Sequence, residues 1–366
     1  MSLVEQMNAK ALELGVPISV QFDLTYRCNE RCIHCYLDHD DHGELTTGEI
    51  LDVLDQLADA GVFFLTFSGG EVMLRRDLFE ILTHARSHLF NVKVKTNGVM
   101  INEECARRLA GIGIQDVQIS VYSHRAEVHD AITKLPGSFA RTRKGIACLA
   151  AQGIKVTLAN ILMRENISDY DGVHALAQEL GAHYTVDPTI TPMMDGNRSV
   201  LQYRISGTDL QQVFRDSKLV GNVEEFCAPP EAIAGDDVLD GYPCSAGHTA
   251  CYISPYGDVF PCVQFPLPSG NVRRQRFLDI WRHSPELQEV RGIRARDLST
   301  CSGCSHVGSC TRCPGLAYLE GDMRGPSTAD CEKSFRRTGM PSAGMLRSNI
   351  GRASSTPLVQ IQLPSV

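Results

Sequence analysis

Between residues 17 and 188, short runs of β-branched and aromatic residues alternate with segments whose apolar positions recur at the helical period, the pattern of consecutive parallel βα units. The runs predict strands over Ile18–Thr25, Val62–Ser68, Val92–Thr96, Asp116–Val121, Ile154–Leu162 and His183–Asp187. Between the first two, Thr46-Thr47-Gly48-Glu49 reads as a capping box, and Ile50, Leu51, Leu54, Leu57 and Ala58 follow on one helical face. Further helices fit Asp77–Ser87, Glu103–Gly111, Ser138–Gln152 and Ser168–Leu180. Six units are too few for a closed eight-stranded barrel, which leaves an open partial barrel or a doubly wound sheet. In either, ligands gather at the carboxyl ends of the strands.

After Pro192 the alternation stops, and Gly, Pro and Cys become frequent from Gly241 to about Cys331, with one helix expected over Phe277–Arg291. The reading is an N-terminal segment 1–16, a core 17–200, a bridging region 201–240 and a cysteine-rich domain 241–335 held by metal more than by an apolar core. The tail 336–366, rich in Ser, Gly and Pro, is expected to be disordered.

Composition narrows the function classes. With 43% hydrophobic and 21% charged residues, the 366-residue chain is globular in type. It has no apolar run of membrane-spanning length and no signal-peptide pattern, so a soluble, cytoplasmic protein with no membrane partner is expected. A formal charge of -8 repels phosphate backbones, so no nucleic-acid partner is expected. Fourteen cysteines without an export signal point to metal ligation, since thiols stay reduced in the cytosol. They cluster at Cys28, Cys32 and Cys35 and again from Cys244 to Cys331, while Cys105, Cys148 and Cys227 read as small buried hydrophobes.

Cys28-x3-Cys32-x2-Cys35 follows the first strand directly. Three thiolates on a short loop suit three irons of a [4Fe-4S] cube and leave the fourth iron open for a ligand. A zinc site completed by His34 or His39 is the alternative, although zinc ligands usually come in pairs split by a longer gap. Asp38 to His42 reads as a solvated loop. In the second field, Cys244, Cys251 and Cys262 bracket the turn Ser254-Pro255-Tyr256-Gly257-Asp258, which predicts a hairpin with ligands at its base. Cys301-x2-Cys304-x5-Cys310-x2-Cys313 and Cys331 follow, and on spacing alone iron-sulfur clusters and zinc are both open.

The segment CNERCIHC resembles the CxxxCxxC loop of the radical S-adenosylmethionine (SAM) superfamily. That resemblance implies a partial (β/α)6 TIM-like barrel and a cluster whose open iron is chelated by SAM, which is cleaved to a 5'-deoxyadenosyl radical. Ser68-Gly69-Gly70-Glu71 resembles the family's GGE motif, with Glu71 implied at the SAM ammonium, although Val72 stands where proline is usual. Thr96-Asn97-Gly98 resembles its TNG segment and Ser120 its ribose contact. His34 is implied near the adenine, and Lys134 as the basic residue that follows. The later cysteines resemble the SPASM extension with two auxiliary [4Fe-4S] clusters. The first would take Cys244, Cys251, Cys262 and Cys313, and the second Cys301, Cys304, Cys310 and Cys331.

The implied activity is hydrogen abstraction from a peptide or protein side chain, as in maturation of peptide natural products or peptide-derived cofactors, with the auxiliary clusters accepting the substrate electron. Val263 stands where sulfatase maturases carry an aspartate, which counts against that activity. A separate leader-peptide-recognition protein and an external electron donor such as a flavodoxin or ferredoxin are the expected partners. The alternatives are a radical SAM enzyme acting on a tetrapyrrole or other small molecule, and a non-catalytic iron-sulfur or zinc protein.

Overall fold

The structure, a computed structural model, describes residues 2–230 and 235–348. Six parallel strands run in sequence order: β1 Ser19–Thr25, β2 Phe64–Gly69, β3 Asn91–Thr96, β4 Asp116–Ser120, β5 Lys155–Ile161 and β6 His183–Asp187. They curve into the open partial barrel expected, with helices Thr47–Asp59, Leu78–Ser87, Glu103–Ile112, Ser138–Ala151 and Tyr170–Glu179 between them. The capping box forms as read: Glu49 N donates to Thr46 Oγ1 and Thr46 N to Glu49 Oε2.

The alternation within each strand separates two kinds of surface. Val20, Phe22 and Leu24, Leu65 and Phe67, Val92 and Val94, Val117 and Ile119 are buried in one apolar core under the helices. Their neighbours, which must point to the opposite face, include Gln21, Asp23, Thr66, Ser68, Lys93, Lys95, Gln118 and Ser120. A closed barrel of this kind fills its interior with branched apolar side chains. This concave face is polar, so it forms a ligand surface instead.

The cysteine-rich region continues the same sheet. β7 Ala250–Ile253 pairs in parallel with the outer edge of β1, and β8 Asp258–Phe260 and β9 Gly270–Asn271 extend it antiparallel, giving nine strands in the order β6-β5-β4-β3-β2-β1-β7-β8-β9. The hairpin at Ser254–Asp258 is present, closed by Ser254 N donating to Asp258 O. Its register with β1 places Tyr252 beside Gln21 on the concave face, where Tyr252 Oη donates to Asp23 Oδ2 and contacts Tyr26 Oη at 2.6 Å. On the outer side, Trp281 Nε1 donates to Gly15 O and Arg291 stacks on the indole ring, tying the second region to the N-terminal helix Leu3–Leu14.

Two expectations need correction. The helix expected over Phe277–Arg291 is two helices, Phe277–His283 and Pro285–Gly292, because Pro285 cannot continue the first and Ser284 Oγ caps the second by accepting from Leu287 N. Disorder from 336 onward does not hold through 348, where Thr328–Thr338 and Ala343–Ser348 are helical; residues 349–366 lie outside the described residues.

Two outcomes follow from the joints between the regions. Trp281→Ala empties a fully buried site and is expected to destabilise the protein by about 3–5 kcal/mol, read as a lowered unfolding midpoint. Burial raises the Asp23 pKa from 3.8 to about 6. A raised acid binds its proton more tightly when folded, so its contribution to stability falls as pH rises through that window and then levels off. The stability difference between Asp23→Asn and wild type should therefore shift in favour of the variant from pH 4 to about 6 and stay constant above it; a difference flat across that range contradicts the assignment.

Candidate functional site

The cysteine loop leaves β1 at Thr25 and lies backbone to backbone on the end of β2. Gly70 N donates to Thr25 O at 2.7 Å and Glu71 N to Arg27 O at 2.9 Å. A Cβ on Gly69 would stand 2.1 Å from Thr25 O, and one on Gly70 2.3 Å from Arg27 O, so only glycine permits the approach. Glu44 fixes the same turn from outside: Oε1 accepts from Thr25 Oγ1 and Tyr26 N, and Oε2 from Arg27 Nη2 at 3.1 Å. Further along, Arg31 N and Ile33 N donate to Thr133 O and Ile132 O, at the end of the helix Ala126–Thr133. The loop is thus clamped at both ends.

Cys28, Cys32 and Cys35 line a cavity of about 590 Å³ at the carboxyl ends of the strands, a volume within the range of small-molecule sites. Ser68, Gly69, Gly70, Thr96, Asn97, Ser120 and His34 share its wall, so most of the residues singled out from sequence converge here. Two do not. The Glu71 carboxylate is wholly buried and does not line the cavity: Oε1 accepts from Met73 N and Thr96 Oγ1, and Oε2 from Asn97 N. It joins the end of β2 to the end of β3 instead of facing a ligand. Lys134 is exposed, in a left-handed conformation at the end of the helix Ala126–Thr133, and is not part of the wall.

The electrostatics favour a bound metal group. Burial pushes the Cys28 thiol up to about 12 and raises Cys32 and Cys35 as well, with the charge of Cys35 adding to the rise at Cys28 and Cys32. A metal that binds thiolate reverses that preference. His34, which burial lowers to about 4, is a neutral ring set edge-on to Tyr122, with Nδ1 free of any protein partner. Glu30 Oε1, buried against the cavity, is also without one.

The second cysteine field divides into two groups. Cys304, Cys310 and Cys331 lie near enough for their charges to raise Cys301, and Cys304 raises Cys310 and Cys331 as well, each beyond the effect of burial. Cys262 is raised in part by the charge of Cys244, and its own charge acts on Cys313 and on Cys251. Cys251 differs in its surroundings. It sits on β7 next to Tyr252, so it points away from the concave face and is buried in the main apolar core with Ile253 and Val259. Between the fields, Val263, Gln264 and Leu319 close the cavity wall, and Gln264 Oε1 lies 3.8 Å from Cys313 Sγ. The cavity therefore reaches from the first cysteine loop to the base of the second field.

Sequence reasoning did not single out Glu44, Glu30, Lys95 or Gln264. Glu44 follows a run of acidic residues with no local signal of its reach. Lys95 had one, since a lysine two residues after Lys93 on a strand whose other face is apolar must point inward. Among the lone cysteines, Cys148 is buried in the core, and Cys227 Sγ donates to Phe214 O. The Asp38–His42 loop is largely exposed, with His42 against Asp38.

Comparison with known proteins agrees with this geometry. The radical SAM superfamily model matches residues 22–177, and the SPASM iron-sulfur cluster-binding domain matches 244–314. Mycofactocin maturase MftC of Mycobacterium ulcerans is 33% identical over 81% of this chain and 82% of its own length. PqqA peptide cyclase of Xanthomonas campestris is 30% identical over 93% and 92%. AdoMet-dependent heme synthase of Methanosarcina barkeri is 28% identical over 83% and 93%. Streptococcus suis SuiB, solved bound to its precursor peptide SuiA, shares the fold with a TM-score of 0.71 at 17% identity, covering 89% of this chain and 79% of SuiB. Families of this kind use SAM and iron-sulfur clusters, and the cavity wall, with its buried thiols and unpartnered polar atoms, fits both. The chain belongs to the radical SAM superfamily, as an enzyme whose partial barrel is extended by a SPASM iron-sulfur domain.

Proposed function

We propose that this enzyme modifies a peptide or protein side chain by removing hydrogen from an unactivated carbon. The observation that carries the reading is a single cavity walled at one end by Cys28, Cys32 and Cys35 and at the other by Val263 and Gln264, beside Cys262 and Cys313. When bound, SAM and the clusters supply a carbon-centred radical for the abstraction and a sink for the electron left on the substrate.

The chain's own residues hold and enclose the reactants. Cys28, Cys32 and Cys35 ligate three irons and leave the fourth to the cofactor. With Glu71 committed to Asn97 N, Met73 N and Thr96 Oγ1, the acceptors left for the cofactor's ammonium at this strand end are backbone carbonyls of the Ser68–Gly70 turn. Glu71 is then a positioning residue. Thr96, Asn97 and Ser120 offer polar groups along the wall, and neutral His34 with Tyr122 an aromatic corner. Leu37, Ile190, Met193 and Met194 give that wall apolar stretches that exclude water. Cys301, Cys304, Cys310 and Cys331 hold one auxiliary cluster, and Cys244, Cys262 and Cys313 the other. Cys251, buried in the apolar core yet close enough for the Cys262 charge to act on it, is the candidate fourth ligand of the latter.

Peptide relatives support the substrate class, and the heme synthase relative keeps a tetrapyrrole as the second reading. No helix among the described residues is long and apolar enough to cross a membrane, which fits a cytoplasmic enzyme reduced by a flavodoxin or ferredoxin. A separately encoded leader-recognition protein completes the proposal.

Peptides encoded beside the gene, incubated anaerobically with the enzyme, SAM and reductant, are expected to change mass while 5'-deoxyadenosine forms. A mass change on a porphyrin and on no peptide would move the assignment to the second reading. Anaerobic analysis should find about 12 irons per chain. Gly70→Ala, whose added Cβ meets the loop backbone, should lose roughly 4 of them and with them SAM cleavage; retention of all the iron would contradict the clamp.

A further inference from the structure

Among the described residues, Lys95 is the sole lysine or arginine in the cavity wall. Two residues earlier on the same face of β3, Lys93 has the usual arrangement for a half-buried lysine, an ion pair with Asp116 at 3.1 Å. Lys95 has none. Its one hydrogen bond is to a neutral acceptor, Gln21 Oε1 at 3.0 Å, and among the described residues no carboxylate pairs with it. Asp23 is the nearest candidate, but its oxygens accept from Gln21 Nε2 and Tyr252 Oη. An ammonium drawn out of water without a hydrogen-bonded anion is costly, and burial lowers its pKa, an effect that the more distant charges of Asp23 and Cys262 offset only in part. Two of its three N–H groups are left for whatever fills the cavity. The bond to Gln21 turns it toward β1, within range of the Cys262 charge.

From this geometry we infer that Lys95 binds a carboxylate of the substrate, so that the enzyme selects a peptide whose reacting residue lies at or beside a free carboxylate. The inference rests on the peptide reading above. It also gives the polar concave face a purpose. The chain's C-terminal carboxylate or an acidic side chain would enter between Gln21 and Lys95, and the residue bearing it would lie between the first cysteine loop and Gln264.

The same ammonium could meet the carboxylate of SAM, so the test has two arms. In the first, immobilised reconstituted holoenzyme with SAM is exposed to a randomised ten-residue peptide pool with free C-termini and to the same pool amidated, and retained peptides are counted by mass spectrometry. Wild type should retain the acid pool, or acidic members of either pool, about ten- to a hundredfold better than neutral peptides. Lys95→Met should abolish that preference and Lys95→Arg should keep it, which a merely structural role for the side chain would not produce. In the second arm, calorimetry measures SAM binding to wild type and Lys95→Met, and similar affinities are expected.

Equal retention by wild type of peptides with and without a carboxylate, at the C-terminus or in a side chain, including no retention of either, overturns the inference. So does a Lys95→Met variant that keeps the preference, or one that loses SAM binding as strongly as peptide binding. A lysine that only offsets the charge of nearby thiolates predicts the first of these results. The peptide reading fails separately: acid peptides would be retained through Lys95, yet none would change mass. If peptides change mass whether or not they bear a carboxylate, the Lys95 assignment alone is lost.

Discussion

The site depends on one close approach, the backbone of residues 25–27 lying directly on Gly69 and Gly70. Hydrogen bonds from Gly70 N and Glu71 N hold it, and there is no room there for a side chain. Because the contact is backbone to backbone, it sets the position of Cys28, Cys32 and Cys35 relative to the ends of β2 and β3 with little freedom. Buried carboxylates secure each side: Glu44 collects the donors of the loop's first turn, and Glu71 those of the neighbouring strand ends. Both act structurally, each collecting several donors that would otherwise be left unpaired at the strand ends.

The strands make the rest of the site by alternation. Every second residue from β1 to β5 goes into the apolar core beneath the helices, which stabilises the sheet without using the inner face. The residues between them are free to be polar, and the cavity collects them. The SPASM hairpin adds to that surface. Since β7 continues the sheet at the edge of β1, Tyr252 bonds to Asp23 and Tyr26 on that face, and Val263 and Gln264 at the base of the second cysteine field reach the cavity wall. Arg273, donating to Glu49 and to the carbonyls of Gly43 and Glu44, links the second region back to the segment that holds the cysteine loop.

Much of this was legible because it is written locally. Apolar runs at period 2 and 3.6 located the six βα units, and the spacing of Cys28, Cys32 and Cys35 after a strand located the site. What was missed depends on distant pairing. Nothing near Ala250 shows that it will lie beside Ser19, and nothing in the acidic stretch before Glu44 shows that this carboxylate reaches Thr25. Cys251 shows both sides: the strand's alternation buries it in the core, and it is still close enough for the Cys262 charge to act on it. Glu71 shows the limit of a motif: it marks the right strand end, while the structure commits its carboxylate to the protein's own backbone. The break at Ser284-Pro285 was in the sequence, as a capping serine before a proline, and the apolar period across it concealed the signal.

The central claim is that the clamped cysteine loop presents a cluster with one coordination site open to SAM. It is tested most directly by electron paramagnetic resonance of the reduced, reconstituted enzyme before and after adding SAM. The account requires one cluster's signal to change on addition, and that change to vanish in Cys28→Ala/Cys32→Ala/Cys35→Ala while the remaining cluster signals persist. A spectrum indifferent to SAM, or a response that survives the triple substitution, would contradict it.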